Sequence, residues 1–169
     1  MNIEFFVAGV PRTKGSSFSF YNPKTKKTVF QHDNQHLKAW QSMVSFTARQ
    51  QGCKPTLGPV AVTILYILPR PKGHFGSRGN VKTASPQLPI GKPDIDKLER
   101  AVLDSLTGVV YQDDSQVVKV SQEKIYTSSP NDQPGARIRI SYEPQSEKPE
   151  EWHQQSIPMP GQEQVEDFS

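Results

Sequence analysis

The sequence predicts an α+β fold: a single mixed β-sheet of about five strands with two main helices packed against it. Three observations lead there. Apolar residues recur at three-and-four spacing over residues 34–51 and 95–106, the mark of two amphipathic helices. β-branched and aromatic runs of strand length lie over 2–10, 60–68, 116–126 and 136–142, with a hairpin pattern at 18–30. The chain has 169 residues, enough for one domain with a substantial core and too few for two. That domain is expected over residues 1–143, and residues 144–169 read as an acidic, disordered tail.

The elements follow in order. Ile3, Phe5, Phe6 and Val7 make the first strand. Gly9 to Ser17 is a basic, glycine-bearing loop with Arg12 and Lys14. It reads equally as a phosphate contact through Lys14 and backbone N–H groups or as an ordinary surface loop. The hairpin turns at Tyr21-Asn-Pro-Lys, with Lys24, Lys26 and Lys27 at its tip and Phe18, Phe20 and Phe30 assigned to the core. In the first helix Leu37, Trp40, Val44 and Ala48 share a face and Gly52 marks the stop. His32 and His36 have no third ligand of the proper kind and fit a polar helix start. Val60 to Leu68, rich in β-branched residues and bounded by prolines, reads as a buried central strand. Pro69 to Lys92 is a long irregular stretch bearing Arg70, Lys72, His74, Arg78 and Lys82. Loops of that length are uncommon unless functional, so it is expected to be a mobile, nucleic-acid-contacting flap.

The chemistry is concentrated between Lys92 and Val118. Pro93 biases Lys92 toward an extended conformation and so marks a boundary. Ile95, Leu98, Val102 and Leu106 then give a helix that Gly108 ends. Asp94 stands at its N-cap, and Asp96, Arg100 and Asp104 form a polar row at four-residue steps. Asp113 and Asp114 follow in a turn before the next strand. Each carboxylate alone has a structural explanation, as a helix cap or as turn chemistry. Asp104 is read as solvated or as the partner of Arg100. Together, Asp94, Asp96 and Asp114 are expected to converge on one point, where they would repel one another without a cation between them. Mg²⁺ suits such a site, since it takes one or two carboxylates plus substrate phosphates and waters. Arg100 would then steady phosphate charge. After the turn, a strand carries Lys119 and Lys124, and a last strand alternates Arg137 and Arg139 with Ile138 and Ile140.

Charge points to the substrate. The overall net charge of +3 conceals a division: from Glu143 onward there are seven acidic residues and one lysine, while 19 basic and 10 acidic residues precede them. A domain that basic expects a polyanionic partner, and nucleic acid is the commonest. A single cysteine, Cys53, excludes an internal disulfide and fits a reducing cytoplasm. No apolar run approaches the roughly 20 residues of a membrane span, and the N-terminus lacks a signal-peptide layout.

The run Pro93-Asp94-Ile95-Asp96-Lys97-Leu98, continued through Asp113-Asp114-Ser115-Gln116-Val117-Val118, resembles the signature of the RusA family of Holliday junction resolvases. Weaker similarity extends over about Ile3 to Tyr142. The resemblance implies a homodimeric endonuclease that places paired nicks in four-way DNA junctions with Mg²⁺, Mn²⁺ being a substitute. It implies Asp94, Asp96 and Asp114 as metal ligands, Asp113 as an auxiliary carboxylate, and Arg100 at the position of the family's catalytic lysine. Arg12, Lys14, Arg70, Lys72 and Lys124 are the candidate DNA contacts, and a bacterial or phage-encoded cytoplasmic protein is the implied setting. Two departures stand out. Lys97 replaces the usual asparagine, and Arg100 keeps the charge of the lysine without its ability to give up a proton. The rival reading is a non-catalytic branched-DNA-binding protein with a degenerate metal site.

Overall fold

The strand Val60–Leu68, β4, sits between two neighbours in the sheet, and its composition explains why. Val60, Val62, Ile64, Tyr66 and Leu68 all point to one face and are buried there. The computed structural model describes residues 1–14, 17–23, 25–32 and 34–142. Over these, the strands are β1 (Asn2–Ala8), β2 (Ser17–Asn22), β3 (Lys27–His32), β4, β5 (Val117–Tyr126) and β6 (Gly135–Tyr142). The helices are α1 (Asn34–Gln50) and α2 (Ile95–Leu106).

The main sheet is mixed and has four strands in the order β1-β6-β4-β5. β6 is antiparallel to both β1 and β4, whereas β4 and β5 are parallel. β2 and β3 form a separate antiparallel ladder, so the hairpin strands stand outside the sheet that the sequence was expected to pool them into. The α+β class holds. Lys26 is exposed in the turn between β2 and β3, as expected of a tip cation; the reading of Phe18, Phe20 and Phe30 as core and of Lys24 and Lys27 as tip cations lies outside the described residues. So does the acidic tail at 144–169.

Apolar residues of β1, β4 and β6 on one face meet Trp40, Val44 and Ala48 of α1 and Leu98, Val102 and Leu106 of α2 in one cluster. Each Val, Leu, Ile or Phe among them taken out of water contributes about 1.5–3 kcal/mol. The helices lie against each other, with Ser45 Oγ donating to the Ser105 carbonyl at 2.7 Å. The opposite face is solvated: Glu4 and Arg139 pair across β1 and β6 at 2.6 Å. No helix among the described residues is long and apolar enough to cross a membrane.

One consequence of the topology governs the site. Two adjacent parallel strands cannot be joined by a tight turn; they need a crossover, and α2 is that crossover. Its first turn therefore lies at the carboxyl ends of β4 and β5, and its last turn lies at their amino ends. Hydrogen bonds mark both ends. At the first, Lys124 Nζ donates to the carbonyls of Gly91 (2.8 Å) and Pro93 (3.0 Å). At the second, Tyr111 Oη donates to the Leu103 carbonyl (2.7 Å) and Gln116 Nε2 to those of Thr56 (2.9 Å) and Gly58 (3.1 Å).

Candidate active site

α2 runs over the residues its apolar spacing predicts, with Leu98, Ala101, Val102, Ser105 and Leu106 buried. Asp94 is the N-cap residue, at φ −70° and ψ 135°, but its side chain caps no backbone N–H. It is held by Lys97 instead, whose Nζ lies 2.7 Å from Oδ2. That contact, with Lys92 and Lys124 adding smaller attractions, lowers the carboxyl's pKa below its ordinary value. Asp96 is exposed in the first turn. Asp94 first and Asp96 after it favour the protonated Lys97 and raise its pKa, against the opposing charge of Arg100. Arg100 is exposed one turn further along. The start of α2 thus presents two carboxylates with one ammonium drawn to both.

Asp114 is not with them. It opens a short 3₁₀ turn, Asp114–Gln116, that leads into β5 at the far end of the crossover. Its charge and that of Asp104 act on the buried Tyr111 hydroxyl, whose pKa is raised first by burial and then by these carboxylates. The 12 residues of α2 span roughly 18 Å at about 1.5 Å per residue, which sets the scale of the gap between Asp96 and Asp114. Among the described residues no group of three or more His, Cys, Asp or Glu side chains is arranged to hold a metal ion. The expected convergence within one chain is therefore not found. The physical reason is strand direction: a connection after α2 would return Asp114 to the helix start only if β5 ran the other way.

Asp113 has local work. It accepts from the Ser115 N–H at 2.9 Å, while Gln116 Oε1 accepts from the Asp113 N–H at 3.0 Å, a reciprocal capping box. The Ser115 interactions lower the Asp113 pKa. Asp104 pairs with Lys14 Nζ at 2.5 Å and not with Arg100. The Lys14 backbone N–H also donates to the Lys97 carbonyl at 3.1 Å, which lays the basic loop along α2.

Residues 14–141 match the family model described as the endodeoxyribonuclease RusA. The chain belongs to the RusA family. This RusA-family chain is also 32% identical over 132 residues to the uncharacterized protein YqaN of Bacillus subtilis (strain 168), a match covering 76% of this chain and 90% of that protein. Membership implies nuclease chemistry on DNA, and the site residues have to be weighed against it.

The cations expected to touch DNA in this RusA-family protein divide into two sets. Lys72 and Arg78 are exposed in the loop after β4, whereas Arg12, half-buried after β1, and Lys14, on Asp104, both have partners within the chain. Arg70 and Lys124 are engaged in holding the fold. Arg70 donates through Nε to the Thr127 carbonyl (3.1 Å), through Nη1 to that of Pro86 (2.9 Å) and through Nη2 to that of Gln87 (3.4 Å). Its guanidinium lies 4.8 Å from the Tyr126 ring centroid. The loop expected to be a mobile flap is tied down further by Lys82 Nζ on the Gly73 carbonyl (2.8 Å) and by a bridge between Phe75 and Val81. Sequence reasoning missed three features here. Lys97 sits three residues after Asp94, a helical pairing distance that would have found it. Asp113-x-x-Gln116 is a readable capping box. The Glu99–Gln122 contact between α2 and β5 has no local signal.

The divalent ion that the family implies can be tested against these residues. Asp94 and Asp96 supply hard oxygen donors of the kind Mg²⁺ takes, in the number it commonly uses. The Lys97 ammonium already rests there as a stand-in positive charge. The pair fits; among the described residues no third protein carboxylate is grouped with it to hold an ion.

Proposed function

We propose that this chain is a Mg²⁺-dependent, structure-specific endodeoxyribonuclease that resolves four-way DNA junctions as a homodimer, with Mn²⁺ able to substitute. The match of residues 14–141 to the endodeoxyribonuclease model carries the reading. The acidic pair at the start of α2 is its chemical counterpart. Asp94 and Asp96 hold the ion, which when bound polarises a phosphodiester and lowers the pKa of a coordinated water. Arg100, exposed beside them, grips the phosphate and neutralises charge that builds on its oxygens. Lys72, Arg78 and Arg12 serve the backbone of the DNA arms, where contacts position the duplex without reading sequence.

The distance along α2 determines how Asp114 takes part. A two-fold pairing sets one chain's Asp94 and Asp96 against its partner's Asp114, and repeats the arrangement at the symmetric position. Two equivalent sites then face two equivalent strands of a junction. One observation favours the rival reading, a branched-DNA-binding protein without activity: Lys97 sits where a metal would.

Mixing Asp96→Asn with Asp114→Asn chains tests the proposal. Each variant alone should bind junctions and fail to nick them with Mg²⁺. If sites are shared, a mixed dimer has one intact site and one doubly altered site, so an equimolar mixture regains roughly a quarter of the wild-type nicking. No recovery would place each site within one chain and overturn the shared arrangement. Absence of Mg²⁺-dependent nicking by the unaltered protein would overturn the enzyme reading and leave the rival.

A further inference from the structure

We propose that Lys97 is a built-in counter-cation that occupies the Asp94 carboxylate until a divalent ion displaces it, and that the displaced ammonium then turns to the DNA backbone. The inference rests on the reading of Asp94 and Asp96 as the metal-binding pair and adds a competitor and second function for this chain's own lysine.

The geometry supports both positions of the side chain. Lys97 Nζ lies 2.7 Å from Asp94 Oδ2, with lysine and aspartate side chains 42% and 43% exposed. Solvent reaches the pair, so the ammonium can leave it without becoming a buried, unpartnered charge. The charge of Asp96 also attracts the Lys97 ammonium and that of Arg100 repels it. A divalent ion on the two carboxylates would repel an ammonium held this close and push it outward along the helix surface. Arg100 lies three residues further on, so the released Lys97 would stand beside it as a second donor for a phosphate. Lys124 is not free to play this part, because its ammonium is spent on the carbonyls of Gly91 and Pro93. Lys92 adds positive charge near Asp94 but is not drawn onto its carboxylate.

Lys97 thereby couples two events. Without metal, Asp94 and Asp96 do not stand as bare neighbouring anions, and the lysine offers little attraction to DNA because an aspartate neutralises it. With metal, the carboxylates are satisfied by the ion and the lysine's charge becomes available to the substrate. An exposed ion pair is weak, and a like charge beside a doubly charged ion costs more in water. The two effects together predict that removing the ammonium tightens divalent-ion binding on the order of tenfold.

The test uses the full chain and two readouts independent of cleavage. Mn²⁺ is titrated into metal-free protein and followed by electron paramagnetic resonance of the free ion, for the unaltered protein, Lys97→Met, Lys97→Arg and Asp94→Asn. Lys97→Met should bind Mn²⁺ about tenfold more tightly, while Lys97→Arg stays near the unaltered protein because it keeps the charge. Junction binding is then measured against salt with and without Ca²⁺. In Ca²⁺ the salt slope of Lys97→Met should be shallower by about 0.9, one phosphate contact, and without divalent ion the two slopes should coincide. Equal or weaker Mn²⁺ binding by Lys97→Met overturns the competition. Slopes that differ equally with and without Ca²⁺ overturn the release. If Asp94→Asn binds Mn²⁺ as the unaltered protein does, the metal-site reading itself fails, a result distinct from the other two.

Discussion

Arg70→Ala separates two accounts of one side chain. As a DNA contact, Arg70 would contribute charge to binding and nothing to the fold. As a tie, it joins the loop after β4 to the end of β5. The variant removes one part-buried hydrogen bond to Thr127 and two exposed ones to Pro86 and Gln87, together with the contact over Tyr126 at 4.8 Å. Taking about 1 kcal/mol for the part-buried bond, about 0.5 for the exposed pair and about 0.5 for the ring contact gives about 2 kcal/mol. For a folded region of this size that corresponds to a fall in Tm of about 6 °C. Arg70→Lys retains charge but cannot span three carbonyls with a planar fork, so about half of the loss should remain. Differential scanning calorimetry reads the first quantity, and the salt dependence of junction binding below the transition reads the second. The tie predicts lowered Tm for both variants and an unchanged slope. A Tm within about 1 °C of the unaltered protein, with the slope of Arg70→Ala reduced by about 0.9, would refute it and restore Arg70 as a phosphate contact.

Two further outcomes can be checked directly. Gly135 begins β6 opposite Ala8, and a Cβ there would run into the Val7 carbonyl oxygen and the Phe6 ring. Gly135→Ala should therefore destabilise the protein by about 1–3 kcal/mol in urea unfolding, since backbone must shift to admit one methyl group; an unchanged midpoint would contradict the close approach. Asp94 supplies the pH prediction. Its folded pKa lies below the ordinary value of 3.8 because of Lys97, so the stability it contributes is present above the unfolded pKa and lost as pH falls through the folded one. Carboxyl-carbon NMR should find Asp94 ionised throughout pH 5–8, with its titration moving upward in Lys97→Met. A midpoint above pH 5 in the unaltered protein would contradict the pair.

How much of this was readable in advance follows from the range of the interactions involved. α2 was legible to the residue because its apolar stripe, the Pro93 boundary and Gly108 are local signals. β4 was equally legible, since a β-branched run bounded by prolines has few other conformations. Alternation along β6 showed which residues face inward, and Ile138 and Ile140 are buried while Arg137 and Arg139 are exposed. Strand direction was not readable, because period-two patterning is the same whichever way a neighbour runs. The position of Asp114 relative to the start of α2 depends on that direction, since it opens the turn that leads into β5. The ties made by Arg70 were hidden for a related reason. Thr127 is 57 residues away from it in sequence, and Pro86 and Gln87 are 16 and 17 away. A basic residue in a long loop looks the same whether it waits for phosphate or closes the loop on itself.

The separation of the acidic residues bears on when the protein could cut. A metal held by two carboxylates alone still leaves coordination positions for water, so on the proposed reading one chain takes up an ion without completing a catalytic set. On the proposed reading, the third carboxylate arrives only with a second chain, and dimerisation becomes a condition for cleavage as well as for symmetry. The crossover enforces this, because shortening α2 enough to bring Asp114 to Asp96 would remove the buried Leu98, Val102 and Leu106 that anchor it to the sheet. Losing even one such leucine costs about 2–5 kcal/mol. The helix that stabilises the fold is thus the same element that separates Asp96 from Asp114 within the chain.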